Sequence, residues 1–388
     1  MIDFALHNQE AASVWAAYHS GRPIRMPMLL SYNPRMVLLD PRYSKGLAFA
    51  DYYADPRVMM QVQCDCTDLM RQNLFQDWDM GSPDGYTVYV DFQNDFESCW
   101  LGAELRFSDN NVPFVQPFLH DDNRNLLFER GVPDPFGGFA AKAWSYYECM
   151  QEQREQGALW NGKPIRSVLP AGMGTDGPMT LACMIRGTTE FCIDLYEEPE
   201  WAQQLLSFLT EAAIARVKAY RRRLGLPERS PGVGFADDSI LLLSEKDYRE
   251  LILPHHKRLV EELSTGEQPN SIHLCGDASR HFVTIRDELH VRTFDTGFPV
   301  DHERIARNLG PEVQIQGGPH VDLLRHGTPA QVAAETRRII EAVRPYTRRF
   351  IMKEANNLAP QTPFANIRAM YETVREYGVY EENLPPTE

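Results

Sequence analysis

The sequence contains no apolar run long enough to span a membrane and no block of lysine or arginine. The first absence excludes a transmembrane helix. The second excludes nucleic acid as a partner, because phosphate binding needs a basic face. The charge agrees: 54 acidic against 39 basic residues, a formal net of -15. Cysteine is sparse and odd in number, with 7 residues spread through 388, so no disulfide framework is expected. No secretory apolar segment is seen either, since Met1-Ile2-Asp3-Phe4 runs quickly into Asn8, Gln9 and Glu10. These features point to a reduced, cytoplasmic protein with free thiols. There is no internal repeat and no low-complexity tract. The polar, proline-containing tail Glu381–Glu388 is expected to fray.

What is present is a hydrophobic fraction of 43%, ample for a large core. Residues 8–20 read as an opening helix. Short apolar runs then recur: Arg25–Leu30, Tyr86–Phe92, Ile165–Leu169, Gly232–Ala236, Ser271–Cys275, Val291–Phe294, Val313–Ile315 and Phe350–Met352. Segments of helical period separate the later ones, among them Pro199–Arg223, Glu245–Leu263, Ala278–Leu289 and Pro329–Val343. Eight strand candidates joined by crossover helices predict an α/β (β/α)8 TIM barrel, with an open doubly wound sheet as the alternative. The stretch 93–160 is rich in aromatics, Asn, Asp and Gly, and lacks a clear period until a helix near 139–155. It reads as a long insertion after the second strand, lying over the barrel mouth.

The run Ser271-Ile272-His273-Leu274-Cys275 carries the most chemistry. In a strand, residues i and i+2 share a face, so His273 and Cys275 converge. Imidazole plus thiolate suits zinc. Barrel chemistry sits at the C-terminal strand ends, and these ends are polar in five consecutive candidates: Asp237-Asp238, His273-Cys275, Asp295, His320, and Lys353-Glu354 with Asn356-Asn357. For zinc the reading selects His273, Cys275 and Glu354, with Asp295 next, leaving one position open for a substrate atom. The bland alternatives are a core imidazole and a small buried thiol. Asp237 and Asp238 could orient the histidine or hold a substrate, or simply cap a helix before Leu241-Leu242-Leu243. His320 could do no more than cap the helix after it. Tyr32, Phe92 and Phe235, near strand ends, could form an apolar slot or be ordinary core.

From Arg25 onward the chain resembles the uroporphyrinogen decarboxylase superfamily, and within it the corrinoid- and thiol-linked methyltransferase branch. The residues that carry this are His273-Leu274-Cys275-Gly276, Gln316-Gly317-Gly318-Pro319, Leu323-Leu324 followed by Gly327-Thr328-Pro329, and Thr362-Pro363-Phe364-Ala365-Asn366-Ile367. Gly177–Ala182 and Ser244 through Pro254 also fit. The resemblance implies one barrel domain over 1–388, a zinc ion, a corrinoid carried by a partner protein, and a homodimer. That branch holds zinc by His-x-Cys plus a later Cys. The later Cys is absent here; Asn356 falls near its place, and Glu354 is the nearest residue that could ligate. A similar methionine synthase barrel takes a carboxylate from the strand after His-x-Cys, where Asp295 stands. Of the decarboxylases' Arg-rich segment after strand one, only Arg35 remains, so porphyrinogen decarboxylation is not expected.

The resemblance therefore implies a zinc-dependent methyltransferase acting on a small O-, N- or S-methylated donor, with a corrinoid or thiol as acceptor. Asp237, Asp238 and Asp295 are its candidate catalytic carboxylates. Tyr32, Arg35, Phe92, Phe235, His320 and Asn356 are its candidate substrate contacts. A metal-independent decarboxylase or lyase and a non-catalytic binding barrel are the alternatives. Gly172-Met173-Gly174-Thr175-Asp176-Gly177 matches a dinucleotide fingerprint after a strand, but a lone match mid-chain is weak. Cys64-Asp65-Cys66 lies in a predicted helix, where i and i+2 do not share a face, and reads as structural.

Overall fold

The apolar runs become strands because each is short, flanked by polar or Gly residues, and long enough only to cross a core. The computed structural model describes residues 3–109 and 111–380. We number its barrel strands β1 (Tyr86–Tyr89), β2 (Lys163–Leu169), β3 (Gly234–Ala236), β4 (Asn270–Leu274), β5 (Val291–Thr296), β6 (Gln314–Gly317) and β7 (Phe350–Met352). β1 pairs with β2, and β3 to β7 pair in chain order, all parallel. Together with the first apolar run they ring a (β/α)8 barrel.

That first run, Arg25–Leu30, is not a regular strand. It makes one parallel bridge, Met28 to Met352, and one antiparallel bridge, Arg25 to Val379. Pro27 removes a donor from the ladder. Toward β1, side chains replace a strand partner. The Met28 N–H donates to Asp77 Oδ2 at 2.7 Å, and the Leu30 N–H to Gln76 Oε1 at 2.8 Å. Between β2 and β3 the contact comes from the loop after β2, where the Ala236 N–H donates to the Thr175 carbonyl at 3.1 Å.

The helices Pro199–Arg223 and Pro329–Val343 start and stop where their period predicts. Both open on a proline, which suits a first turn with no use for its N–H. Thr328 and Gln331 add a reciprocal capping box. The predicted helix over 245–263 is interrupted. A π-turn spans Tyr248–Ile252 and a regular helix resumes at Leu253–Leu263, because Pro254 cannot donate to the preceding turn. Cys64 and Cys66 are both buried in the helix Pro56–Asn73.

After β1 the chain makes a turn at Gln93–Asp95, the helix Phe96–Leu101 and a short hairpin, Leu105–Arg106 with Phe114–Val115. The helix Gly138–Glu155 then leads back to the sheet. This excursion brings Gln93, Phe96 and Glu97 to the cavity described below. The tail Glu381–Glu388 lies outside the described residues. Among the described residues no helix is long and apolar enough to cross a membrane.

Candidate metal centre

In β4 the alternation is regular: Asn270, Ile272 and Leu274 are buried, while Ser271 and His273 are half-buried, as is Cys275 just beyond the strand. His273 and Cys275 therefore meet, with Nε2 3.0 Å from Sγ. Asp238, just past β3, joins them: its Oδ1 accepts the Cys275 N–H at 2.7 Å. One ligand atom each from Asp238, His273 and Cys275 lie within 4.8 Å of one another. An oxygen, an imidazole nitrogen and a thiolate sulfur form a donor set that fits zinc.

The far side of the imidazole is held. Asp295, at the end of β5, places Oδ2 2.7 Å from His273 Nδ1. The buried Lys353 ammonium sits 2.6 Å from both Asp295 oxygens. A carboxylate on Nδ1 fixes the tautomer and leaves Nε2 free to ligate. Burial works against a charge on His273, but Asp295 outweighs it and raises the imidazole's pKa. Burial also opposes ionisation of Asp295, yet His273 and Lys353 hold its carboxyl below the ordinary range. Burial first, then the Asp238 carboxylate, push the Cys275 thiol far up. A cation at this point would displace that proton. Asn356, in the left-handed backbone region at φ 87°, has Oδ1 3.4 Å from Cys275 Sγ.

The structure does not bring Glu354 into this group. It is fully buried, and both its carboxyl oxygens accept the Ser31 N–H, at 3.0 and 3.1 Å. Successive residues point to opposite sides of a strand. Lys353 takes the side facing Asp295, which leaves Glu354 the other. Burial raises its pKa well above the carboxylate range.

Asp237 is likewise turned away from its neighbour Asp238. It is fully buried and accepts the Met179 and Thr180 N–H groups, the Thr180 hydroxyl and a contact from His256 Nε2. It caps the helix Pro178–Arg186 instead of touching the cluster. That cap also occupies the helix N-terminus a dinucleotide phosphate would need, so the glycine motif before it has no anion site.

The remaining candidates scatter. Phe92 is core, packed against Tyr53, Phe139 and Tyr146 rather than facing a donor. His320 caps the helix Val321–His326 at the surface, its Nδ1 accepting the Asp322 N–H at 2.9 Å. Tyr32 lines a separate cavity with Cys66, Arg71 and Tyr89. Arg35 donates to Gln93 Oε1 at 2.7 Å and so reaches the rim of the cavity beside the cluster. Phe235 lines that cavity directly.

The cavity has a volume of ≈ 490 Å³. Its walls include Phe96, Glu97, Asp176, Phe235, His273 and Asp295, with Gln93 and Gln316. Among the described residues lining it there is no Arg or Lys. Glu97 is buried, bonded to the fully buried Arg216 at 2.6 Å, and accepts the Asp176 N–H at 2.6 Å. Burial, then Glu97 and Asp238, raise the Asp176 carboxyl well above its ordinary range. Sequence reasoning missed Lys353, Glu97 and Asp176 as site residues. Only the polar strand end after β7 hinted at the first, and Asp176 was hidden inside the glycine motif.

Gly297 packs against the Cys275 carbonyl so closely that a Cβ there would overlap it. Gly297→Ala is expected to destabilise the fold by about 1–3 kcal/mol through overpacking and to shift Cys275. Urea denaturation and the thiol's reactivity toward a chromogenic disulfide would report both effects; an unchanged midpoint and reactivity would contradict the prediction.

Comparison with known proteins adds to this geometry. A family model described as Uroporphyrinogen decarboxylase (URO-D) matches residues 35–377. A methylated-thiol–coenzyme M methyltransferase of Methanosarcina mazei is 31% identical over 206 residues, 51% of this chain and 51% of its own. A methylcobamide:CoM methyltransferase MtbA of Methanosarcina acetivorans is 23% identical over 203 residues, 52% of this chain and 56% of its own. The chain thus spans about half the length of these curated relatives. A uroporphyrinogen decarboxylase of Gloeobacter violaceus is 27% identical over 338 residues, 85% of this chain and 90% of its own. Among solved structures, a methyltransferase from Methanosarcina mazei superposes with a TM-score of 0.65 at 16% identity, covering 95% of this chain and 98% of that one. That likeness bears on the fold alone.

Proposed function

Because the chain belongs to the uroporphyrinogen decarboxylase family, we propose that it is a zinc-dependent methyltransferase of that family. It moves a methyl group from a small methylated donor to a corrinoid protein or a thiol. The observation that carries this reading is the meeting of Asp238, His273 and Cys275 within 4.8 Å, with the other His273 nitrogen already held by Asp295. Asp238 replaces Glu354 as the third ligand. Decarboxylation of a polycarboxylate fits less well, since the described residues of the cavity walls include carboxylates and no Arg or Lys.

Bound zinc would supply a Lewis acid to a substrate heteroatom or thiol in the open position. The chain's own groups do the rest. Asp295 and Lys353 fix the imidazole, and Asp238 pins the Cys275 backbone with the sulfur beside His273 Nε2. The two strand ends are thereby held before a substrate arrives, which is what positioning requires. In the transfer, the acceptor's electron pair forms a bond to the methyl carbon. The carbon–heteroatom bond breaks and its pair stays on the heteroatom.

The test is methyl-cobalamin formation, followed by absorbance, when zinc-loaded protein is mixed with cob(I)alamin and a panel of methyl ethers, methylamines and methyl thioethers. Turnover of at least one donor is expected. No turnover across the panel, in protein shown to hold zinc, would defeat the reading.

Asp295 gives a finer test. Asp295→Asn removes the anionic partner of His273 and leaves Lys353 buried and unpaired. Zinc affinity is expected to fall about 10–100-fold, the usual effect of losing such a partner. Competition with a chromophoric chelator would measure it, and an unchanged affinity would remove Asp295 from the site.

A further inference from the structure

The charges around the cavity can be paired off one by one. Arg216 is committed to Glu97 and to the Gly174 carbonyl. Lys353 and His273 are committed to Asp295. Asp237 has all its donors inside the fold. Asp238 belongs to the candidate metal ligands. One carboxyl is left over. Asp176 lines the cavity, its backbone N–H is fixed by Glu97, and among the described residues nothing donates to its side-chain oxygens.

Its surroundings limit what could answer it. Phe96 and Phe235 line the same cavity, whose volume is ≈ 490 Å³. Among the described residues Asp176 makes no ion pair, Arg216 being held by Glu97, and burial keeps its proton on while the cavity is empty. Beside aromatic walls, such a carboxyl matches a group that is both charged and apolar on its surface, whose arrival would favour the ionised form. A small methylated cation has that character, and a neutral ether or thioether does not.

We propose that Asp176 is the anchor for a permanently cationic methyl donor, a quaternary ammonium compound, in the cavity beside the metal centre. This rests on the methyl-transfer reading and names the substrate class for it. Such a donor also suits the chemistry. The acceptor's electron pair bonds the methyl carbon, the carbon–nitrogen bond breaks with its pair left on nitrogen, and a neutral tertiary amine departs. No proton has to be supplied. Asp176 is a binding and specificity residue here; it does not touch the breaking bond.

The experiment compares choline with 3,3-dimethylbutan-1-ol, the same shape with carbon in place of the charged nitrogen. Each is titrated calorimetrically into the whole protein, once zinc-loaded and once after chelation. Choline is expected to bind at least about tenfold more tightly than the carbon isostere in both forms. Asp176→Asn, which keeps side-chain size, should bring that ratio close to one without changing the melting temperature; Asp176→Glu should retain part of it. Equal binding of the two ligands, no binding of choline, or a ratio that survives Asp176→Asn would each overturn the proposal. A choline preference that depends on Asp176, in protein that transfers no methyl group from any donor, would uphold the cation site and overturn the methyl-transfer reading alone. Turnover of ethers with no choline preference would do the reverse.

Discussion

Cys275→Ala is expected to lower bound zinc from about one ion per chain to below about 0.1, because two remaining ligands do not make a retained site. Methyl transfer should fall by a factor on the order of 10³ or more, about 4 kcal/mol of lost barrier lowering. The reasoning is local. The sulfur is the only soft ligand in the cluster of Asp238, His273 and Cys275, and alanine at 275 leaves the backbone N–H still bound to Asp238. The strand should therefore keep its shape while the site loses its strongest donor. His273→Ala should match it. Cys149→Ser, a half-buried thiol on the helix Gly138–Glu155 and outside the cluster, should leave both readouts unchanged. Elemental analysis of purified protein settles the first outcome, and a Cys275→Ala protein that still retains stoichiometric zinc would remove the site from consideration.

Asp237→Ala is expected to act quite differently, lowering stability by about 3–5 kcal/mol, the range for breaking a buried charged network. Three donors from the start of the helix Pro178–Arg186 and the buried His256 ring all lose their acceptor at once. Water cannot replace it easily, because neither Asp237 nor His256 is exposed. Asp237→Ala should unfold at lower urea yet still bind zinc while folded. Asp238→Ala should do the opposite, keeping most of its stability and losing metal. If Asp237→Ala instead lost zinc at full stability, the assignment of these adjacent carboxylates would be reversed.

That contrast shows where the sequence is informative and where it stops. The meeting of His273 and Cys275 is legible because a strand's two-residue period leaves no choice about which side chains share a face. The neighbours Asp237 and Asp238 cannot be separated the same way. A one-residue shift exchanges the faces, and only the packing of the helix Pro178–Arg186 against β3 decides which acid turns inward. The same ambiguity, four strands later, favours Glu354 over Lys353 on chemical grounds, since a carboxylate ligates and an ammonium does not. The fold makes the other choice. The barrel itself is legible from the spacing of short apolar runs, except at Arg25–Leu30, where Pro27 thins the ladder and Gln76 and Asp77, far away in sequence, stand in for a strand. Asp176 was hidden for a different reason: three glycines around it suggested a phosphate turn, and nothing local revealed that Asp237 would fill the helix end behind it.

A hoop holds only as well as its join. Where the first and last staves of this one meet, regular pairing is down to one bridge between Met28 and Met352, and the Glu354 carboxyl spans the gap just above it by gripping the amide of Ser31. Breathing at that seam would tilt the residue next door, Lys353, off its acid and let the imidazole beyond swing. An acid that touches no reacting atom thus keeps the rim in tune, and loosening it would blur the site without altering a single group inside it.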